Sequence, residues 1–137
     1  MGRLAGMKYL LDTHIWLWSA MQPQRLSTRV TKTLADPQNE LWLSPVSVWE
    51  LTVLCRKRNF RVQPDIPAWV ASTVSGLRLN EAPLTIEVAL ALPSMSFSHG
   101  DPADHFLAAT ARVFDLTLIT GDDHLVNVPG IRVLANR

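Results

Sequence analysis

A chain of 137 residues, 47% hydrophobic and 18% charged, is long enough to bury one core and short for several. No apolar run reaches the roughly 18 residues of a membrane-spanning helix, no secretory leader opens the chain, and the single cysteine, Cys55, has no partner for an intrachain disulfide; together these point to a cytoplasmic protein. The net charge of +1 hides a division, because thirteen Lys and Arg face twelve acids and four of those acids fall into a candidate metal site. The basic remainder does not exclude an anionic substrate, although composition alone favours both signs scattered over a solvated surface.

No repeat, low-complexity tract or Gly/Ser linker divides the chain, so 1–137 reads as one domain. Short apolar runs alternate with amphipathic segments, the pattern of an α/β fold with a mostly parallel sheet flanked by helices. Tyr9-Leu10-Leu11 predicts a buried first strand ending at Asp12, followed by a helix over 14–20. Ser27 caps a second helix to about Ala35, stopped by Asp36-Pro37. Leu41-Trp42-Leu43 is a short strand, and Ser44-Pro45 opens a helix, expected to be largely buried, through Trp49 and Glu50 to a basic end at Arg58. A helix after Pro67 carries Trp69, Val70 and Val74 on one face, with Gly76 as its stop. Arg78 to Asn80 forms a short strand, and Thr85 caps a helix ending at Pro93. In Gly100-Asp101-Pro102-Ala103-Asp104, Asp101 is the N-cap, Pro102 the first helical residue and Asp104 lies in the first turn. Phe106, Leu107, Thr110 and Val113 continue that helix. Thr117–Thr120 is a buried strand bounded by Gly121, and Ile131–Leu134 is a last strand at an edge.

Asp12 and Asp122 each follow a buried strand, Asp104 opens a helix, and Glu50 lies one turn into another. In open α/β sheets, ligands gather beyond the carboxyl ends of the strands, so the four meet there if the first and fourth strands are neighbours. Each acid alone also reads as an ordinary cap or turn residue. Converging carboxylates repel one another unless a cation joins them. Their hard oxygens select Mg²⁺ or Mn²⁺ over Zn²⁺. Asp101 and Asp123 are accessory candidates.

At these residues the chain resembles the PIN domain family, and in particular the VapC-type toxins of bacterial toxin–antitoxin pairs. Four segments carry the resemblance in order: Leu10-Leu11-Asp12-Thr13-His14, Ser44-Pro45-Val46-Ser47-Val48-Trp49-Glu50-Leu51, Gly100-Asp101-Pro102-Ala103-Asp104 running into Leu107-Ala108-Ala109-Thr110-Ala111, and Leu116-Thr117-Leu118-Ile119-Thr120-Gly121-Asp122. The resemblance implies a PIN-like fold in which Asp12, Glu50, Asp104 and Asp122 bind metal, with Thr120 a polar neighbour in the catalytic set. It also implies a VapB-like antitoxin whose C-terminal segment covers the acidic pocket, and homodimers. His105 stands where one branch of the family commonly has Arg. Met1 to Gly6 precedes the usual start and reads as a leader or an added extension.

A site of this kind suits hydrolysis of an RNA phosphodiester by water activated on one or two Mg²⁺ or Mn²⁺ ions. Asp12, at the central switch point, is the expected bridging ligand. For substrate grip, Arg56, Lys57, Arg58 and Arg61 form a basic cluster after the Glu50 helix, and Arg25, Arg29 and Lys32 form another. Trp16 is the expected base-stacking residue, and single-stranded or looped RNA the expected target. Two rival readings are a catalytically silent PIN-like binding module and an aspartate-based phosphohydrolase. The second needs an acid two residues after Asp12, where this chain has His14.

Overall fold

The computed structural model describes residues 6–137; the expected leader therefore lies outside the described residues except for Gly6. That glycine is packed, since a Cβ on it would fall 1.7 Å from the Gln38 carbonyl oxygen. Five parallel strands form one sheet in the order β3-β2-β1-β4-β5: β1 (Lys8–Leu11), β2 (Glu40–Leu43), β3 (Leu79–Glu81), β4 (Thr117–Thr120) and β5 (Arg132–Ala135). The α-helices are α1 (Thr13–Met21), α2 (Thr28–Ala35), α3 (Pro45–Arg56), α4 (Ile66–Leu77), α5 (Ile86–Ala91), α6 (Pro102–Val113) and α7 (Asp123–Val126). Among the described residues, no helix is long and apolar enough to cross a membrane.

Side chains alternate across the sheet. Leu10 and Leu118 point to one face, where they meet Leu107, Ala108 and Ala111 of α6 and Leu125 of α7. Leu11, Leu41, Leu43 and Ile119 point to the other, against Ile15, Trp16 and Leu17 of α1, Val30 of α2 and Leu51 of α3. Burial on both faces explains the unbroken apolar runs of β1 and β4. The register sets Leu10 opposite both Trp42 and Leu118 and Leu11 opposite Ile119, so β1 and β4 end level with one another. Chain order reverses between β1 and β4, and the crevice of a doubly wound sheet opens at that point.

Most expected boundaries agree to within two residues, and caps explain why. Ser27, Ser44, Asp65, Thr85 and Asp101 each accept a backbone N–H at the start of their helices, satisfying donors that the helix itself leaves open. Three expectations need correction. Gly76 does not stop α4: the helix runs on to Leu77, and Arg78 takes the left-handed cap position (φ 54°). The helix carrying Glu50 ends at Arg56 rather than Arg58, which has φ 59°. Nor is that helix largely buried, since Trp49 is 59% exposed.

Candidate metal and active site

The crevice beyond β1 and β4 is a cleft of about 290 Å³ lined by Asp12, His14, Trp18, Glu50, Asp101, Asp104, Gly121 and Asp122. All four expected acids line it, together with Asp101. The same local device delivers three of them. Asp12 caps α1, Asp101 caps α6 and Asp122 caps α7, so each carboxylate sits where a chain turns from extended backbone into a helix N-terminus. Asp104 follows in the first turn of α6, and Glu50 projects from α3, the helix after β2.

Asp12 is the most constrained. It is 6% exposed; its Oδ1 accepts the Thr13 N–H at 2.7 Å and its Oδ2 accepts the Thr120 hydroxyl at 2.6 Å. Thr120 Oγ1 in turn accepts the Asp122 N–H at 3.0 Å. Thr120 thus joins the ends of β1 and β4 and sets the spacing between two of the acids. Thr13 does the same across α1 and α3: its hydroxyl donates to Glu50 Oε1 and lies 2.8 Å from Ser47 Oγ. Asp104 is 8% exposed, with Oδ2 2.9 Å from His99 Nε2.

Asp12, Glu50 and Asp104 are held above their ordinary range. Burial pushes the Asp12 carboxyl up against the opposing hydrogen bonds from Thr120 and Thr13. Glu50 is raised by burial and by Asp12, with Thr13 opposing. Asp104 is pushed up to about 7, first by burial and then by the negative neighbours Asp12, Asp101 and Asp122, while the His99 contact works the other way. Proximity of like charges in a half-buried cleft costs free energy unless protons or a cation offset it. The donors are almost all carboxylate oxygens, with one imidazole: His99, Asp104 and Asp122 offer ligand atoms within 4.8 Å of one another. This set fits a hard divalent cation.

Other expected site residues lie elsewhere. Asp123 is exposed and pairs with Arg137 instead of facing the cleft. Trp16 cannot stack a base: its ring is fully buried, packed on Trp69 at 5.2 Å, with Nε1 donating to Thr73. Arg56, at the far end of α3, and Arg58, just beyond it, are exposed and do not line the cleft. The aromatic ring in the cleft is Trp18, two residues on, with the Arg25 guanidinium 4.5 Å from its ring centre. Asn136 holds Arg25 there by donating to its carbonyl oxygen. Sequence alone does not mark His99 and Thr13 as working parts. The only signal for Thr13 was its place beside Asp12, and His99 lies outside any regular element.

The PIN domain profile matches residues 9–131, which spans every acid of the cleft. The chain belongs to the PIN domain family. It is 32% identical over 117 residues to Ribonuclease VapC22 of Mycobacterium tuberculosis, covering 85% of this chain and 88% of that protein. Its fold is shared by VapBC2 from Rickettsia felis, solved bound to a DNA fragment from its promoter (TM-score 0.73, 17% identity, 94% of this chain and 98% of that one). A toxin–antitoxin complex from Klebsiella pneumoniae also shares it (TM-score 0.61, 23% identity, 94% and 98%). The parallel α/β sheet expected from the strand–helix alternation and the PIN-like fold implied by the resemblance are both present.

Proposed function

We propose that this PIN domain is a metal-dependent endoribonuclease and the toxin member of a type II toxin–antitoxin pair. The observation that carries the reading is the convergence of Asp12, Glu50, Asp104 and Asp122 on one cleft in a chain 32% identical to a named ribonuclease. Asp12, Asp104 and Asp122 would hold one or two Mg²⁺ or Mn²⁺ ions, with Glu50 completing the shell directly or through water. A cation held there would supply Lewis acidity to a water molecule and offset charge on the phosphodiester. The chain's own residues do the positioning. Thr120 and the Thr13 N–H fix both oxygens of Asp12, Thr13 restrains Glu50, and the N-termini of α1, α6 and α7 stabilise the charged carboxylates. Incubation with RNA and Mn²⁺ should give fragments with 5′-phosphate and 3′-hydroxyl ends, and a chelator should stop cleavage. Undiminished cleavage in chelator would rule out the metal mechanism.

In place of Trp16, we assign base stacking to Trp18 and phosphate contact to Arg25 above it. Base–aromatic stacking is worth about 1–3 kcal/mol per base. In an Asp12→Asn background, Trp18→Ala should therefore weaken binding of single-stranded RNA by about tenfold, with Trp18→Phe retaining most of the affinity. Equal affinities for all three proteins would remove Trp18 from the interface.

The partner implied is a small VapB-like antitoxin whose C-terminal segment covers the acidic cleft; inhibition of cleavage by the protein encoded beside this one tests that. We also propose a homodimer. Leu17 and Leu51 offer no surface for it, since both are fully buried. Ile86 and Leu90 of α5, 81% and 72% exposed, supply exposed apolar surface instead. The cytoplasm is the proposed location.

A further inference from the structure

The acids of the cleft carry the proposed function, which gives no role to the histidine cluster beside Asp104, made of His99, His105 and His124. His99 lies in the segment before α6 with its side chain 16% exposed and Nε2 2.9 Å from Asp104 Oδ2. Its ring is gripped on two sides. His124 stacks on one face at 4.7 Å and 21°, and its Nδ1 lies 3.2 Å from Ser98 Oγ. His105 meets the His99 ring edge-on at 5.5 Å and 87°. His105 is itself fixed: it stacks on Phe97 at 3.9 Å and 11°, and its Nε2 donates to the His99 carbonyl oxygen at 2.6 Å. A carbonyl only accepts, so the His105 proton sits on Nε2. His105 therefore works on the loop that carries His99.

We propose that His99 is a positioning residue for the metal site: its neutral ring donates Nε2–H to Asp104 Oδ2, holding that carboxylate so that its other oxygen faces the cation. This rests on the reading of the four acids as a divalent-cation site. Distance alone does not separate a donor from a ligand, because neighbouring ligands about 2.1 Å from an octahedral ion stand about 3.0 Å apart. The other nitrogen separates them. An imidazole that binds metal through Nε2 carries its proton on Nδ1 and passes it to an acceptor. Here Nδ1 is buried and has no hydrogen-bond partner among the described residues. A donating Nε2 leaves only a lone pair at Nδ1, whereas a ligating Nε2 would bury an unpaired N–H, and orphaned buried N–H groups are rare. The ion's ligands are then all oxygen, as Mg²⁺ and Mn²⁺ prefer, and the His99 imidazole stands beside the donor set rather than within it.

The test is calorimetric titration of Mn²⁺ into the purified full-length parent, His99→Ala and His99→Gln, with thermal midpoints recorded in chelator and Mn²⁺ electron spin-echo spectra of the parent. Glutamine places an N–H donor close to where Nε2 stands. Outer-shell partners of metal sites are worth about 10–100-fold in affinity, so His99→Ala should bind Mn²⁺ at least about tenfold more weakly and His99→Gln within about threefold of the parent. The parent spectrum should lack modulation from a directly bonded imidazole nitrogen. Alanine binding as tightly as the parent, glutamine failing as badly as alanine, or a bonded-nitrogen signal would each overturn the donor role. If the parent itself binds neither Mn²⁺ nor Mg²⁺, the cation-site reading fails instead, a result distinct from any of these.

Discussion

Asp12→Asn should abolish RNA cleavage while leaving the metal-free protein at least as stable as the parent. Asp12 lies at the centre of the sheet, just past the strand next to the reversal of chain order, and both its oxygens are engaged. Outer-shell partners of metal sites already cost about 10–100-fold when removed, so loss of a central ligand should exceed about 100-fold in kcat/KM. Folding should be spared for a different reason. The buried carboxylate is held above its ordinary range, meaning that its charged form is disfavoured without a cation. Asparagine keeps the shape, still accepts the Thr13 N–H, and removes that charge. Steady-state cleavage beside thermal unfolding in chelator reads both halves. Cleavage at the parental rate would displace Asp12 from the site, and unfolding of the variant would make its role structural.

The second large effect links pH, metal and stability. The folded state holds Asp104 at about 7, whereas an unfolded chain releases that proton near 4. The folded protein therefore binds more protons over that interval, and its stability falls as pH rises. The contribution is complete below about pH 4 and is lost as pH climbs through 7. Glu50 and Asp12 are raised in the same direction and add to the slope. A divalent cation replaces those protons. At about a hundredfold excess over Kd it should add about 2.7 kcal/mol, roughly 10 °C in Tm for a chain of this size. That increment should grow from pH 5 to pH 8. Scanning fluorimetry across this range, with and without Mn²⁺, should show a falling metal-free curve and a flatter metal-bound one. A metal-free Tm that rises with pH would contradict the electrostatics described for the cleft.

The positions of the acids were legible because each coincides with a local signal. An apolar run stops at Asp12 and another just before Asp122, and Asp101-Pro102 marks a helix start that places Asp104 in the first turn. These are rules of strand ends and caps, and a parallel sheet turns them into spatial neighbours. Which tryptophan reaches the cleft was not legible. The helix after β1 has Ile15, Trp16, Leu17 and Trp18 in succession, so no single apolar stripe says which side is buried. The answer depends on α4, where Trp69 and Thr73 engage Trp16 and leave Trp18 to the cleft. His99 was hidden for a related reason: it sits in irregular backbone, and its place beside Asp104 is fixed by contacts with His105 and His124 rather than by periodicity. Gly76 misled because glycine commonly terminates helices, but the left-handed position fell two residues later, on Arg78.

The central claim is that carboxylates from just beyond β1 and β4, together with those of α3 and α6, form one cation site. Calorimetric titration of Mn²⁺ into the purified parent, Asp12→Asn and Asp104→Asn tests it most directly. Saturable binding by the parent, lost or weakened at least about 100-fold in both variants, is the predicted result. Equal binding by all three proteins, or none by the parent, would contradict it.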